Sequence, residues 1–330
     1  MANLSRLRDW GLLISCNLVW GCQVDIYKIV QQQSGPVFAA LFPITIATLL
    51  MVPIVWRQHQ KVASDAGKGL LPVGDVLQFL LIGICGQVLA QVGVATGARL
   101  TLASNAALLA LALPVMTALM AFIFLNERMT PVRWVSFVLA VAGVLVCAGI
   151  RWGELSFTST RYLLGNAIFF VAIAASAFYN AYSKRLLRRY SALEVLFYSY
   201  VVVVVFMLPV ALYTEPHTFR SILNFRLQVW LGFFSLAILQ YFFAMLIFLT
   251  VLTRMDATQA GLSNYLIPLF GVLAAVIVLG ERFTANMVVG GLLVLCGTLL
   301  VTLYEGRQAP QVANGCCPTG RQGRLHCRQR

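Results

Sequence analysis

A handful of side chains inside the long apolar runs of this chain are of types that do chemistry. Asp25 and Lys28 stand three residues apart in the first run, and Asp25 is the one carboxylate well inside any such run. It lies six residues before Gln31, roughly 9 Å below that end of the helix at ~1.5 Å per residue. A carboxylate at the centre of a membrane helix costs about 2.5–3.5 kcal/mol on insertion scales, and less near an end. Two readings follow: a proton-coupling or amine-binding carboxylate, or an i,i+3 ion pair in which Lys28 reaches the interface.

Uncharged polar groups recur in the other runs. Asn17, Trp20, Gly21, Val24, Lys28 and Gln31 share one stripe of the first helix, which therefore faces protein rather than lipid. Gln87 and Gln91 lie one turn apart; Ser176, Tyr179 and Asn180 follow in a later run, then Gln240 and Tyr241, then Gln259, Asn264 and Tyr265. Aromatic rings with uncharged hydrogen-bonding groups suit a moderately polar organic solute. Interhelical hydrogen bonding is the competing reading for each residue singly. The candidate solute-binding residues are Asn17, Trp20, Gln87, Gln91, Ser176, Asn180, Tyr241, Asn264 and Tyr265. Pro114 and Pro268 sit mid-run, where each frees a carbonyl and kinks its helix, and are candidate gating positions.

The elements that carry these residues follow from composition. Of 330 residues, 60% are hydrophobic and only 11% charged, against roughly 25% charged in soluble domains, so this is an all-α integral membrane chain. Continuous apolar runs predict ten spans near 10–31, 36–56, 74–97, 102–125, 133–150, 162–183, 192–213, 228–252, 257–279 and 286–304. Residues 1–9 and 305–330 flank them as a cytoplasmic N-terminus and a disordered cytoplasmic tail. The first run continues past Trp20 without a small-residue cleavage site and reads as a retained span. With the N-terminus inside, 17 Lys and Arg fall on the cytoplasmic side and 7 outside. The net charge of +13 thus reports topology, not nucleic acid. Cys16, Cys22, Cys85, Cys147 and Cys296 lie in apolar runs; Cys316, Cys317 and Cys327, with His326, lie in the tail at spacings that match no common metal site.

A repeat organises the spans. Sliding the second half back by 154 residues places Pro268 on Pro114, Glu281 on Glu127, Arg282 on Arg128, Thr284 on Thr130 and Tyr241 on Gln87. A shift of 156 places Lys184 on Lys28. One copy holds five spans, an odd number, so two copies at 10–150 and 162–304, joined by a linker at 151–161, are inverted across the membrane. Glu127 and Glu281 read as structural, holding tight loops with local arginines. Thr130-Pro131 reads as a helix start, and Ser191-x-x-Glu194 and Asp256-x-x-Gln259 as capping boxes.

Trp20-Gly21 followed by Lys28, with the stretches Ala103 to Pro131 and Ala257 to Thr284, resembles the EamA-type branch of the drug/metabolite transporter superfamily over roughly residues 10–304. The resemblance implies a ten-span secondary transporter for small metabolites. Many members carry an arginine in span 2, where this chain reads Leu41-Phe42-Pro43, so no substrate carries over from that arginine. The expected function is alternating-access efflux or exchange of an amino acid or similar amphipathic solute across a bacterial-type inner membrane. A lipid-intermediate flippase on the same architecture and a membrane-embedded lipid-modifying enzyme are the alternatives. Histidines confined to loops and tail, with scattered carboxylates, count against an enzyme, and no G-x-x-x-x-G-K-[ST] loop binds nucleotide. The expected partners are a small solute and the lipid bilayer, without nucleic acid, metal or cofactor, as monomer or homodimer.

Overall fold

The computed structural model describes residues 2–66, 72–100, 109–110, 112–127, 130–147 and 160–270, and short pieces between 289 and 304. Among these residues every regular element is helical. The α-helices in chain order are α1 (Ala2–Gly21), α2 (Gln23–Val30), α3 (Pro36–Ala66), α4 (Val73–Leu81), α5 (Leu89–Leu100), α6 (Ala112–Leu125), α7 (Pro131–Cys147), α8 (Thr160–Leu186), α9 (Ala192–Thr214), α10 (Pro216–Ser221), α11 (Leu227–Ser235), α12 (Met245–Leu252) and α13 (Ala257–Ser263). Among the described residues, five stretches are long and apolar enough to cross a membrane: Pro36–Gln60, Val73–Gly97, Leu164–Leu186, Ala192–Thr214 and Leu227–Leu252. Ala112–Leu125 and Pro131–Gly143 are shorter apolar helices. The expected spans near 102–125, 133–150, 257–279 and 286–304 are described only in part. Residues 151–159 of the expected linker, Glu281, and the tail with Cys316, Cys317, His326 and Cys327 lie outside the described residues, while Thr160 and Arg161, expected in the linker, begin α8.

Four runs that read as straight helices are interrupted among the described residues, one of them at Asn264–Tyr265. The first breaks at Cys22, whose N–H bonds back only three residues to Val19. That break rotates the buried face. Before it, Leu13, Cys16, Asn17 and Gly21 are buried; after it, Tyr27 and Val30 are, while Lys28 is exposed. The single stripe from Asn17 to Gln31 expected from sequence therefore fails at Lys28, because a wheel drawn through a break carries the wrong phase, while Gln31 is half-buried. The other two interruptions are π-helical turns, Ile82–Val88 between α4 and α5 and Leu236–Ala244 between α11 and α12. They begin 154 residues apart, the offset of the sequence repeat.

Glycines set a close helix crossing. On α5, a Cβ at Gly93 would stand 2.7 Å from the Ala172 Cβ, and one at Gly97 would stand 3.1 Å from the Phe169 backbone nitrogen of α8. Gly165 returns the fit against the Leu100 backbone. With no hydrophobic drive between helices in lipid, such small-residue contact supplies the association.

Two glutamates satisfy helix starts distant in sequence. Glu215, between α9 and α10, accepts from the Val37 and Phe38 amides of α3 at 2.9 Å each. Glu127 accepts from the Ala257 and Thr258 amides of α13 at 3.0 Å each. The first turn of a helix has amides without intrahelical partners and a partial positive charge, and a carboxylate answers both. Ser191 and Glu194 form the expected capping box, and Thr130 accepts from the Arg133 amide at 3.3 Å. Asp256 does not cap α13 as expected, because Glu127 occupies those amides.

The crossing gives a test. Gly97→Val should lower stability by about 1–3 kcal/mol through overpacking, seen as a reduced unfolding temperature in detergent. Gly11→Ala, with nothing within 4 Å of the added carbon, should leave it unchanged. Equal effects of the two would refute the close crossing.

Candidate functional site

The π-helical turns carry the centre of the bundle. The Tyr27 and Tyr241 hydroxyls hydrogen-bond each other. Tyr241 donates onward to Gln91 Oε1 at 3.0 Å, and Gln91 Nε2 donates to Gln87 Oε1 at 3.2 Å. Tyr179 lies beside Gln87 and bonds Ser199 at 3.3 Å. The run of contacts thus joins α2, both π-helical turns, α5, α8 and α9. Side-chain donors also reach carbonyls of the second π-helical turn: Tyr200 bonds the Tyr241 oxygen at 3.0 Å, and Cys16 the Ala244 oxygen at 3.3 Å. A π-turn loosens the normal helical ladder, so its carbonyls are available to such donors.

Of the residues singled out from sequence, Gln87, Gln91 and Tyr241 are brought together here. Tyr27 was missed, although it lies two turns beyond Trp20. Asn17 lies deeper toward the N-terminal end and donates to the Ser263 carbonyl and hydroxyl at 2.9 and 3.0 Å. Asn264 and Tyr265 follow Ser263 where the helix is interrupted. That break lies one turn before Pro268. Proline has no N–H for the Asn264 carbonyl, which accepts from Ile267 instead, at 3.1 Å. Pro114 is buried in the first turn of α6 as described. Trp20 sets its ring edge on Phe248, with centroids 5.4 Å apart. Ser176 and Asn180 are on α8, away from these bonds; Asn180 is buried and Ser176 half-buried. Asp25 and Lys28 pair with each other at 3.6 Å, with Lys28 largely exposed.

A second polar cluster closes the N-terminal end of the bundle. α6 stops at Asn126, which takes the left-handed φ of 56° tolerated by asparagine and turns Glu127 inward. Glu127 there meets the α13 amides, the Thr258 hydroxyl at 2.9 Å, and Lys184 Nζ at 2.9 Å. Lys184 also reaches the Met255 carbonyl at 2.8 Å and Asp256 at 3.4 Å; Arg133 pairs with Asp256 at 2.9 Å. Glu127 was expected to hold a local loop with nearby arginines. Its partners here come from distant helices instead. Burial disfavours ionisation of Asp256, but the Arg133 hydrogen bond and the Lys184 and Arg133 charges outweigh it and hold the carboxyl below its ordinary 3.8. Asp9–Arg254, Asp75–Arg189 and His59–Glu194 pairs lie at the same end. Among the described residues, no group of three His, Cys, Asp or Glu is placed to hold a metal.

The chain matches known proteins along nearly its whole length. The sequence profile of the EamA-like transporter family matches twice, over residues 10–149 and 163–303. The chain belongs to that family. This EamA-like protein is 29% identical over 307 residues to a "Probable terminal-alkyne amino-acid exporter" of Streptantibioticus cattleyicolor, covering 91% of this chain and 96% of that one. It is 24% identical to an "Uncharacterized transporter" of Archaeoglobus fulgidus, covering 89% and 97%. It is 26% identical to an "S-adenosylmethionine uptake transporter" of Rickettsia conorii, covering 62% and 65%. A solved crystal structure shares the fold with a TM-score of 0.73 at 18% identity, covering 92% of this chain and 99% of that one. The protein is thus a membrane transporter by family.

The cluster at the N-terminal end of this EamA-like transporter should be acid-sensitive. The Asp256 carboxyl has a lowered pKa when folded, so its stabilising contribution is complete above the ordinary value near 3.8 and is lost as pH falls through the folded value. Asp256→Asn should flatten the acid limb of the unfolding temperature against pH. An unaltered limb would show that the pairings with Arg133 and Lys184 carry no stability.

Proposed function

We propose that this protein is a secondary transporter that moves a small organic metabolite, an amino acid or similar amphipathic solute, by alternating access. The observation that carries the reading is the meeting of Tyr27, Gln91 and Tyr241. Two come from the N-terminal half and one from the C-terminal half, and they meet at π-helical turns deep in the bundle. Ten spans in two inverted five-helix repeats, at 10–150 and 162–304, are the architecture proposed for it. The double family match and the 154-residue offset between the π-helical turns support that division. In such a plan the solute site lies between the halves near the midplane, and each half opens to one side in turn.

The proposed cycle uses the two clusters differently. The uncharged centre exchanges its internal hydrogen bonds for bonds to solute, which lets it hold a polar molecule without stranding a charge in hydrocarbon. The Glu127, Lys184, Asp256 and Arg133 cluster joins both halves and separates when that end opens. Under the proposed topology this end is cytoplasmic, in a bacterial-type inner membrane. The pairing of Asp25 with Lys28 supports an ion-pair role for Asp25 over a proton-coupling one. The relative named as an amino-acid exporter supports the substrate class and the efflux direction.

Uptake and efflux profiling of a metabolite panel in proteoliposomes, with and without a pH gradient, tests the reading. At least one amphipathic solute should cross, and Tyr241→Phe, which removes two central hydrogen bonds, should slow it at least tenfold in a folded protein. Asp25→Asn should leave the pH dependence as it was. A folded protein that moves no solute under any gradient would end the transporter reading.

A further inference from the structure

Gln240 is buried at 2% exposure in the second π-helical turn, yet neither its Nε2 nor its Oε1 has a hydrogen-bond partner. Among the described residues it is the only side chain with both ends of a buried amide unpartnered. Burying an amide this way costs free energy that a leucine or methionine would not. A buried amide without a protein partner is the kind of group that a bound solute or a water satisfies.

Its depth identifies the neighbours. The Cys16 to Ala244 hydrogen bond and the packing of Val30 against Gly232 set the first helix and the Leu227–Leu252 helix antiparallel, with position 240 level with Trp20. Asn17 lies about 4.5 Å deeper, three residues away at ~1.5 Å each. The Asn17 Nδ2 is committed to Ser263, which fixes its Oδ1 as a free acceptor, and that oxygen is buried without a partner. Asn264 Oδ1, on the residue after Ser263, is likewise buried and unpartnered, at the break before Pro268. Three mutually adjacent spans thus hold, within about a helical turn of depth, two acceptor oxygens and one complete amide, all unsatisfied. The buried charged side chains among the described residues, Asp9, Asp75 and Arg133, are all at the N-terminal end, away from this level.

We propose that Gln240, with Asn17 and Asn264, binds the polar end of a zwitterionic α-amino acid. This rests on the transporter reading and deepens it by naming the groups and their chemistry. The amide oxygens of Asn17, Asn264 and Gln240 accept from the ammonium, and Gln240 Nε2 donates to the carboxylate. The two charges of such a solute cancel over a few ångströms, so an uncharged set of amides suffices. A bare amine or a bare acid would bring an uncompensated charge to the same place.

The test uses the full chain in nanodiscs and thermal unfolding, with L-leucine, L-methionine, L-phenylalanine and L-threonine as zwitterionic probes. Phenethylamine, 3-phenylpropionate and sodium chloride are the single-charge probes. Gln240→Met should raise the unfolding temperature of the empty protein, because it removes two unsatisfied groups; a residue with a purely structural role would lower it. At least one amino acid should raise the wild-type unfolding temperature by several degrees, while the single-charge probes do not, and Gln240→Met should lose most of that shift. The proposal is overturned if Gln240→Met destabilises the empty protein, if no amino acid shifts the wild type, if the amine or sodium protects as well as the amino acid, or if the variant keeps the full shift. Any of these alongside transport of another solute in proteoliposomes would leave the transporter reading standing and remove only this site.

Discussion

In the hydrocarbon core no water is available to satisfy a hydroxyl or an amide, so each is costly to bury unless it finds a partner inside the protein. Tyr27, Tyr241, Gln91 and Gln87 do so by bonding one another across three helices. The rest of the bundle serves that requirement. The break at Cys22 turns Tyr27 inward and leaves Lys28 outside. The π-helical turns present Gln87 and Tyr241 to the same space and open the Tyr241 and Ala244 carbonyls to further donors. Gly93, Gly97 and Gly165 let α5 and α8 approach closely beside it.

The ends of the bundle obey different electrostatics. At each end a glutamate settles the start of a distant helix, Glu127 for α13 and Glu215 for α3. Among the described residues, only the N-terminal end adds a linked set of ion pairs, around Lys184 and Asp256. At the other end, the ion pair among the described residues is the exposed Asp25–Lys28 pair, of a kind worth little in water. The partly buried set is costly to assemble and specific in geometry, which suits a contact that must hold one arrangement firmly and still come apart. The two ends of the described structure are therefore unequally fastened.

Much of this was legible in the sequence for a simple reason. Lipid demands long apolar runs, and runs of that length survive any error in detail, so helical class, membrane location and family were readable from composition and the duplicated Pro114 and Pro268 segments. The interruptions were not. A π-turn inserts one residue without changing hydrophobicity, and the break at Cys22 carries no proline, so both shift a helix's phase invisibly; Lys28 was placed on the inward stripe for that reason. Partners such as Lys184 for Glu127 were hidden because they are distant in sequence, and a loop carboxylate looks local until the fold brings another helix start to it. Gln240 was visible as a polar residue, but only burial without a partner sets it apart from the satisfied Gln87 and Gln91.

Alternation between two unequally fastened ends is the central claim, and paired spin-label distances at both ends test it most directly. One pair at exposed Pro131 and Thr253 reports the N-terminal end, and another at exposed Gln32 and Leu223 the opposite end. In nanodiscs, adding a transported solute should shift the two distance distributions in opposite senses, one end widening as the other narrows. Distances that move together, or that stay fixed while solute is transported, would contradict the account.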